Sequence, residues 1–208
     1  MTARQNHGNI FETYIKKHLN IDISHSWDIP PYPNCYNNEG ISIKCLKKGG
    51  VIALGDAKTQ YRIKNNFYFI IGFYEEFKNK NKKIIWLKEI YVSKQKWREL
   101  WGDITEQDII ILENLIIDKS KRNLSNQETK DFRKHIKENK KRILQNKNSI
   151  ITLNPKIGKF KKHYEQRRLQ CSISYKSFFT FFDINKIQPE VTIIGGKYIR
   201  LKDICLQS

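Results

Sequence analysis

Residues 40–58, which read GISIKCLKKGGVIALGDAK, carry the pattern that decides the fold. Two apolar runs, at 40–46 and 51–58, flank the polar sequence at 47–50, which ends in two glycines. This arrangement is typical of two strands joined by a tight turn, so we expect a β-hairpin here. Side chains in a strand alternate between its faces, and the pattern therefore predicts that Asp56 and Lys58 share one face.

The segments on both sides of this stretch predict the rest of an α/β fold. An apolar stripe at helical spacing between residues 9 and 19 predicts a helix before the hairpin. The apolar runs at 67–73 and 84–92 predict strands, the first of them buried and central. Helices are expected at 93–101, 106–117 and 127–144, a loop at 154–159, and a last hairpin around two glycines at 195–196. This order favours a central mixed β-sheet flanked by helices.

Most of the excess positive charge lies in one segment. The 208 residues carry a formal net charge of +18, and residues 119–168 hold 17 Lys/Arg against 4 Asp/Glu, a local balance of +13. Such an excess favours a polyanionic partner, of which nucleic acid is the leading candidate. The charge divides the chain into a core at 1–118 and a basic, largely helical part at 119–208, packed together as one domain.

Several classes of protein are excluded by what the sequence lacks. No apolar run approaches the roughly 18 residues that span a bilayer, and the first residues lack a signal-peptide core, so we expect a cytoplasmic protein without a membrane partner. None of the four cysteines sits in a CxxC pair, which argues against a zinc ribbon. The absence of a glycine-rich phosphate loop indicates no nucleotide cofactor.

The triplet at Asp56 and Lys58 suits metal-dependent hydrolysis of a phosphodiester. The carboxylate can hold a divalent cation, while the ammonium can orient water or stabilise charge on the phosphate in the transition state. Magnesium prefers oxygen ligands, so a second carboxylate is needed to complete the site. Asp28 is the first choice, and Glu39 or Glu12 could replace or supplement it.

Asp28, the predicted hairpin and the sequence at 55–58 together resemble the core of the PD-(D/E)XK nuclease superfamily. The blocks at 27–30, 42–44, 54–56 and 166–173 are similar to one group of its type II restriction endonucleases. The resemblance implies that Asp28 and Asp56 ligate Mg²⁺, with the backbone carbonyl of Ala57 as a further ligand. It also implies that Lys58 orients the attacking water, and that residues 1–118 form a nuclease core.

The same resemblance implies a homodimer that binds double-stranded DNA and hydrolyses one phosphodiester in each strand at a specific sequence. Lys44 is an accessory candidate, because it faces Asp56 only if the turn holds an odd number of residues. The basic C-terminal part would hold the DNA. The residues expected to contact DNA are Arg62, Lys64, Gln166, Arg167, Arg168 and Gln170, the last four as readers of base edges.

Two other functions remain open on this sequence. The first is a non-enzymatic basic protein that binds DNA or RNA, in which the triplet has no catalytic role. The second is a PD-(D/E)XK nuclease of another kind, which recognises the structure of its DNA in repair. Metal-dependent cutting separates the first from a nuclease, and a comparison of duplex with branched DNA separates the second from a restriction enzyme.

Overall fold

The structure of the chain, a computed structural model, describes residues 3–23, 39–77, 82–117, 124–160, 164–185 and 190–206. Six α-helices and eight strands lie in these ranges. In chain order they are α1 (Ala3–His18), β1 (Gly40–Lys47), β2 (Ile52–Asp56), α2 (Ala57–Tyr61), β3 (Phe67–Glu76), β4 (Lys82–Val92), α3 (Lys94–Trp101), α4 (Glu106–Ile117), α5 (Asn126–Ile143), β5 (Thr152–Phe160), β6 (Tyr164–Ile173), α6 (Tyr175–Phe182), β7 (Val191–Ile194) and β8 (Lys197–Arg200).

The strands form three sheets, with the orders β1-β3-β4, β2-β6-β5 and β7-β8. The first sheet is mixed, because β1 runs parallel to β3 and β4 runs antiparallel to it. The prediction of a mixed α/β protein with a mixed sheet is therefore confirmed. The apolar runs at 67–73 and 84–92 form β3 and β4, and the helices predicted at 93–101, 106–117 and 127–144 are α3, α4 and α5.

The predicted hairpin between the first two strands is wrong. The turn does form, since the Gly50 amide donates to the Lys47 carbonyl at 3.0 Å, but β1 and β2 belong to different sheets. β1 pairs with β3 over its whole length, and the Lys48 amide extends this pairing by donating to the Tyr74 carbonyl at 2.9 Å. The buried β3 is a longer apolar partner than the five residues of β2, and turn residues alone do not decide which strands pair.

The prediction that the part after residue 118 is largely helical is also wrong. Its described residues form the helices α5 and α6 and the four strands β5 to β8. The loop expected at 154–159 is wrong as well, because these residues lie within β5 and include Pro155. β5 is the edge strand of its sheet, a position that tolerates proline because no partner is needed on its outer side.

The chain divides into two compact units that are discontinuous in sequence. The first comprises Met1–Ile52, Lys64–Lys96 and Ser174–Ser208, and the second comprises Ala53–Ile63 and Trp97–Ile173. The functional division at residues 118 and 119, drawn from charge, stays a prediction. None of the helices in the described ranges is both long and apolar enough to cross a membrane.

The core of the first unit lies on both faces of β3. On one face the α1 residues Phe11 and Ile15, both completely buried, pack with Ile41 of β1 and Ile70 of β3. On the other face, the aromatic rings of α6 pack against β3 and β4. Phe73 lies 5.7 Å from Phe179, and Trp86 lies 5.1 Å from Phe179, measured between ring centroids.

The second unit places α4 and α5 against the sheet β2-β6-β5. Ile109, Leu112 and Ile116 of α4 and Phe132 and Ile136 of α5 are buried. α5 is fixed to the neighbouring strand by two long side chains. Arg133 Nε donates to the Ile157 carbonyl at 2.8 Å, and Lys140 Nζ donates to the Leu153 carbonyl.

Candidate active site

Asp56 lies at the junction between β2 and α2, in the second unit. Gly55 has a φ of +120°, a conformation that glycine adopts readily, and it turns the chain out of the strand. The Asp56 carboxylate then accepts a hydrogen bond from the Thr59 amide at 2.9 Å and caps the helix that begins at Ala57. The prediction that Asp56 and Lys58 share the face of one strand was wrong, because Lys58 lies in the first turn of α2.

Two ion pairs join α2 to α4. Lys58 Nζ lies 3.9 Å from Glu113 Oε2, and one helical turn further on Arg62 makes a 2.6 Å contact with Glu106 Oε1. Glu106 and Glu113 are two turns apart and lie on the same side of α4. Because the earlier cation pairs with the later carboxylate, the two helices run antiparallel along this contact. The packing of the two helices thus places Lys58 of α2 and Arg62, which follows α2, against two carboxylates of α4.

Glu113 is the more buried of these two carboxylates. Only 14% of its side chain is exposed, against 41% for Glu106. Burial raises the pKa of Glu113 above its usual value, and the negative charge of Asp56 raises it further, while Lys58 and Arg62 oppose the rise. Asp56 and Glu113 are therefore close enough for their charges to repel each other, and a cation shared between them would relieve that repulsion.

Sequence reasoning missed Glu113 as the carboxylate that accompanies Asp56. The signal was its position within α4, where it follows four consecutive apolar residues at 109–112 and precedes three more at 115–117 after a single asparagine. A charge on the packing side of an apolar helix requires a partner. The sequence could not show that this partner would come from the triplet, because α4 and α2 meet only in the folded chain.

Of the three carboxylates that the sequence favoured as the second metal ligand, two lie in the first unit and one lies outside the described residues. Asp28 lies outside the described residues. Glu12 belongs to the first unit and pairs with Lys16 at 2.6 Å, and Glu39 belongs to the same unit and accepts a hydrogen bond from Tyr91 Oη at 3.0 Å. Within the described ranges, α4 is thus the element that brings a second carboxylate to the Asp56 site.

Ala57 and Lys44 were the further candidates near the triplet. Ala57 is completely buried as the first residue of α2, where a carbonyl oxygen points along the helix axis toward its C-terminal end. This conformation gives no support to Ala57 as a metal ligand. Lys44 belongs to β1 in the first unit, where it stands opposite Ile71 of β3. Its neighbours Ile43 and Cys45 pack into the core beneath α1, so strand alternation puts Lys44 on the other face.

The predicted DNA-contacting residues fall into different environments. Arg62 is more than half exposed despite its ion pair with Glu106, and Lys64 is exposed in the first unit. Arg167 is half-buried, with its guanidinium 4.9 Å from the centre of the Phe132 ring. Its Nη1 also donates to a carbonyl of α4 at 3.5 Å. The next residue in β6, Arg168, is exposed, Gln170 is half-buried, and Gln166 lies in the same strand.

Asp56 and Glu113 are suitable ligands for magnesium, although the described residues contain no group of three or more metal-binding side chains. Magnesium in proteins is commonly held by one or two carboxylates and keeps several waters. The Asp56 oxygen that caps α2 leaves the second oxygen of the same carboxylate for a cation. Carboxylates that hold a divalent cation and an ammonium that orients water are groups suited to hydrolysis of a phosphodiester.

Comparisons of this chain with family models, with curated proteins and with solved structures found no match.

Proposed function

We propose that this chain is a magnesium-dependent endonuclease that cuts double-stranded DNA at a specific sequence, as type II restriction enzymes do. The observations that support the proposal are the 3.9 Å separation of Lys58 Nζ and Glu113 Oε2 and the negative charge of Asp56, which raises the pKa of Glu113. This site belongs to the unit that also contains residues 119–168, the segment with most of the net positive charge. One unit thus contains both the carboxylates proposed to bind the cation and the basic segment proposed to bind a polyanionic substrate.

In this proposal the two carboxylates of Asp56 and Glu113 hold Mg²⁺. A bound magnesium ion supplies a water of lowered pKa and neutralises negative charge on the phosphate. The Lys58 ammonium lies beside the Glu113 carboxylate, where it can orient the attacking water or stabilise the charge that builds up on the phosphate oxygens. The resemblance of the sequence around Asp28 supports that residue as a further ligand.

We place the chain in the PD-(D/E)XK superfamily on the strength of the Asp56-Ala57-Lys58 triplet and the resemblance of the preceding sequence. The helix that begins at Ala57 departs from the predicted strand that was to carry the triplet. A homodimer in the cytoplasm fits an enzyme that cuts both strands of a symmetric site, and both properties are part of the proposal.

Cleavage of supercoiled plasmid with Mg²⁺ tests the proposal, and Asp56→Asn and Asp56→Ala are a matched pair of variants for it. The wild-type chain should give discrete fragments, and both variants should give none. Asparagine caps helices as well as aspartate does, so Asp56→Asn should keep its stability, while Asp56→Ala should lose about 1 kcal/mol. Fragments from Asp56→Asn at the wild-type rate would remove Asp56 from the chemistry and overturn the proposal.

A second candidate function, a DNA-binding protein without catalysis, is favoured by the structural contacts of the same residues. Asp56 caps α2, and the pairs Lys58–Glu113 and Arg62–Glu106 join α2 to α4, so each residue has a role in the fold. This candidate predicts salt-dependent binding of DNA and no cutting with any divalent metal. The plasmid assay with Mg²⁺ therefore separates the two functions directly.

A further inference from the structure

The cations of the basic segment at 119–168 divide into those that the fold uses and those that face solvent. Arg133 and Lys140 of α5 donate to backbone carbonyls of β5. Lys147 pairs with Asp108 of α4 at 2.6 Å. These cations already have partners within the second unit, so a surface for a polyanion has to be sought among the others.

Four other lysines form a row along α5, which we call the lysine stripe. Since an α-helix has about 3.6 residues per turn, residues 130, 134, 137 and 141 fall within about 60° of one another around its axis. The stripe consists of Lys130, Lys134, Lys137 and Lys141, all of them exposed. Within the described parts of the chain, none of these side chains makes an ion pair or a hydrogen bond. The four ammonium groups are therefore open to a partner.

The lysine stripe lies on the side of α5 away from the core. Phe132 and Ile136 are buried and lie on the opposite side of the helix. The acidic residues Asp131 and Glu138 lie along one flank of the stripe. Glu138 has the spacing for an ion pair with Lys134, four residues earlier, but forms none with a described residue. The stripe is therefore a row of like charges with which the carboxylates of its own helix do not pair.

The stripe also borders a concave surface. A depression of about 510 Å³ is lined by Lys134, Lys137, Glu138, Lys140 and Lys141. Four ammonium groups and one carboxylate give this lining a formal net charge of +3. A phosphate group in the depression would interact with several ammonium groups at once, so it would be held more strongly than by an isolated surface lysine.

The stripe is long enough for several phosphates of one nucleic-acid strand. The helix rises about 16 Å between Lys130 and Lys141, at about 1.5 Å per residue. One strand of B-DNA carries a charge about every 3.4 Å along the axis, so about five phosphates lie within that length. Four ammonium groups on flexible stems can therefore contact successive phosphates of one strand.

Two other polyanions fit the stripe less well than nucleic acid. Amphipathic helices bind anionic membranes by inserting their apolar face, but the apolar residues Phe132 and Ile136 of α5 are buried in the core of the second unit. An acidic protein presents carboxylates at irregular spacings, whereas nucleic acid repeats its charge at a fixed interval along a line. A straight row of lysines matches the second arrangement.

We propose that the lysine stripe of α5 holds the phosphate backbone of double-stranded DNA, whatever the sequence of that DNA. This inference rests on the proposed function and deepens it, because it names the surface of the basic part that holds the substrate. It adds the four lysines of the stripe to the residues expected to contact DNA. The stripe belongs to the same unit as Asp56 and Glu113.

The test is the salt dependence of binding to a duplex of arbitrary sequence, with Ca²⁺ in place of Mg²⁺ so that bound DNA is not cut. The stripe variant combines Lys134→Gln, Lys137→Gln and Lys141→Gln. Each phosphate contact contributes about 0.9 to the slope of log Kd against log salt concentration, so this variant should lower the slope by about 2 to 3. Its urea unfolding should match that of the wild-type chain, because the three side chains are exposed.

The matched control combines Lys17→Gln, Lys88→Gln and Lys202→Gln. These three lysines are exposed in the first unit, and their replacement changes the net charge by the same amount. The slope of this control should stay within about 0.5 of the wild-type value, because no phosphate contact is lost. An equal fall in both variants would show that only the total charge matters, and would overturn the inference.

Glu138→Gln tests the same surface by a gain of binding, which a misfolded chain cannot show. It removes the one carboxylate in the lining of the depression. DNA should therefore bind about two- to fivefold more tightly at low salt, since a repulsive charge beside the phosphates is lost. Unchanged or weaker binding by this variant would contradict a phosphate site at the stripe.

The outcomes for the stripe and for the nuclease are separate. A stripe variant with the wild-type slope overturns this inference, while discrete plasmid fragments with Mg²⁺ would still support the nuclease. A lowered slope in a protein whose wild-type form cuts no plasmid supports the stripe and overturns the nuclease proposal. A wild-type chain that binds vesicles of phosphatidylserine and phosphatidylcholine but no duplex at low salt overturns both.

Discussion

Lys58 Nζ lies 3.9 Å from Glu113 Oε2. The negative charge of Asp56 repels the same Glu113 carboxylate and raises its pKa. This distance is too long for a hydrogen bond, so the ammonium interacts with Glu113 by charge alone. Lys58 and Arg62 only partly offset the burial of Glu113 and its repulsion by Asp56, since the pKa of Glu113 is still raised. In the proposed function a divalent ion between the two carboxylates would offset that repulsion, and the predictions about activity rest on this proposal.

Glu113→Gln should reduce Mg²⁺-dependent plasmid cleavage by on the order of 100-fold or more, because in the proposed site it removes one of the carboxylates that hold the metal. The matched control is Glu106→Gln, which makes the same change on the same side of α4 and also breaks an ion pair with α2. Cleavage by this control should stay within about threefold of the wild-type rate. Fragment yield over time on an agarose gel provides the measurement.

Glu106→Gln should keep the stability of the wild-type chain within about 0.5 kcal/mol, since ion pairs of partly exposed side chains contribute little. Glu113→Gln should be at least as stable as the wild-type chain at pH 7, because it removes a buried carboxylate whose pKa is raised. Urea unfolding of the two proteins checks that the comparison concerns chemistry and not folding. If both variants lost cleavage to the same extent, the ion pairs between α2 and α4 would matter for structure alone. The role of Glu113 as a metal ligand would then be wrong.

The raised pKa of Glu113 predicts a pH dependence of stability. The cause is burial first, with the charge of Asp56 second, and the usual value for the side chain is 4.5. A carboxyl group with a raised pKa in the folded state stabilises the fold below its unfolded pKa, and this contribution is lost as pH rises through the folded pKa. In the absence of metal, the melting temperature of the wild-type chain should therefore fall relative to Glu113→Gln as pH increases above 4.5. Parallel curves for the two proteins across this window would contradict the prediction.

The sequence predicted elements well where one segment carried the whole signal. The run that became β3 is apolar on both faces, which suffices to indicate a buried strand. Which strands pair with each other could not be predicted in the same way. The turn at 47–50 forms, but β2 joins β6, more than 100 residues later, and such pairing depends on contacts that no local pattern contains.

Only part of the candidate site could be predicted, again because some of its residues meet only through packing. Asp56 and Lys58 could be selected because they follow an apolar strand, whereas Glu113 becomes part of the site only through the packing of α4 on α2. The strand-to-helix change at Asp56 has a local cause that the sequence does contain, since Gly55 precedes an aspartate able to cap a helix. The apolar alternation before the triplet outweighed that signal and led to a wrong strand prediction for Lys58.

Asp108 at the start of α4 should be one of the most important polar residues for stability. It is 7% exposed, and it accepts hydrogen bonds from the Thr105 amide at 2.8 Å and from Lys147 Nζ at 2.6 Å. Replacing it in Asp108→Asn leaves the Lys147 charge without its partner, so we expect a loss of about 2–4 kcal/mol in urea unfolding at pH 7. The control Asp131→Asn, on the exposed side of α5, should change stability by less than about 0.5 kcal/mol.

The loss of stability caused by Asp108→Asn should also disappear in acid. Burial acts to raise the pKa of Asp108, but the hydrogen bonds from Lys147 and Thr105 outweigh it, and the pKa is lowered from its usual 3.8. A lowered carboxyl pKa contributes stability above the unfolded value, and that contribution is lost as pH falls through the folded value. The difference in stability between wild type and Asp108→Asn should therefore shrink as pH falls below 3.8. A constant difference down to pH 2 would show that the cost comes from packing and not from charge.

Gly102, which follows α3, should tolerate no side chain. Its φ is +51°, and a Cβ atom at this position would lie 2.1 Å from the backbone oxygen of Asn148. The two segments are tied together here, since the Asp103 amide donates to that same oxygen at 2.9 Å and Asp103 Oδ2 accepts from the Asn148 amide at 2.9 Å. Gly102→Ala must therefore displace backbone, because the colliding oxygen cannot rotate away as a side chain would.

Gly49 is the matched control for this substitution. It also has a positive φ, of +75°, but a Cβ atom there meets nothing within 4 Å. Gly49→Ala should therefore carry the conformational cost alone, about 1–2 kcal/mol, while Gly102→Ala adds the collision and should lose at least about 2 kcal/mol more. Urea unfolding of both variants gives the comparison. Equal losses would mean that the contact between Gly102 and Asn148 opens at little cost, and that the end of α3 is not held by it.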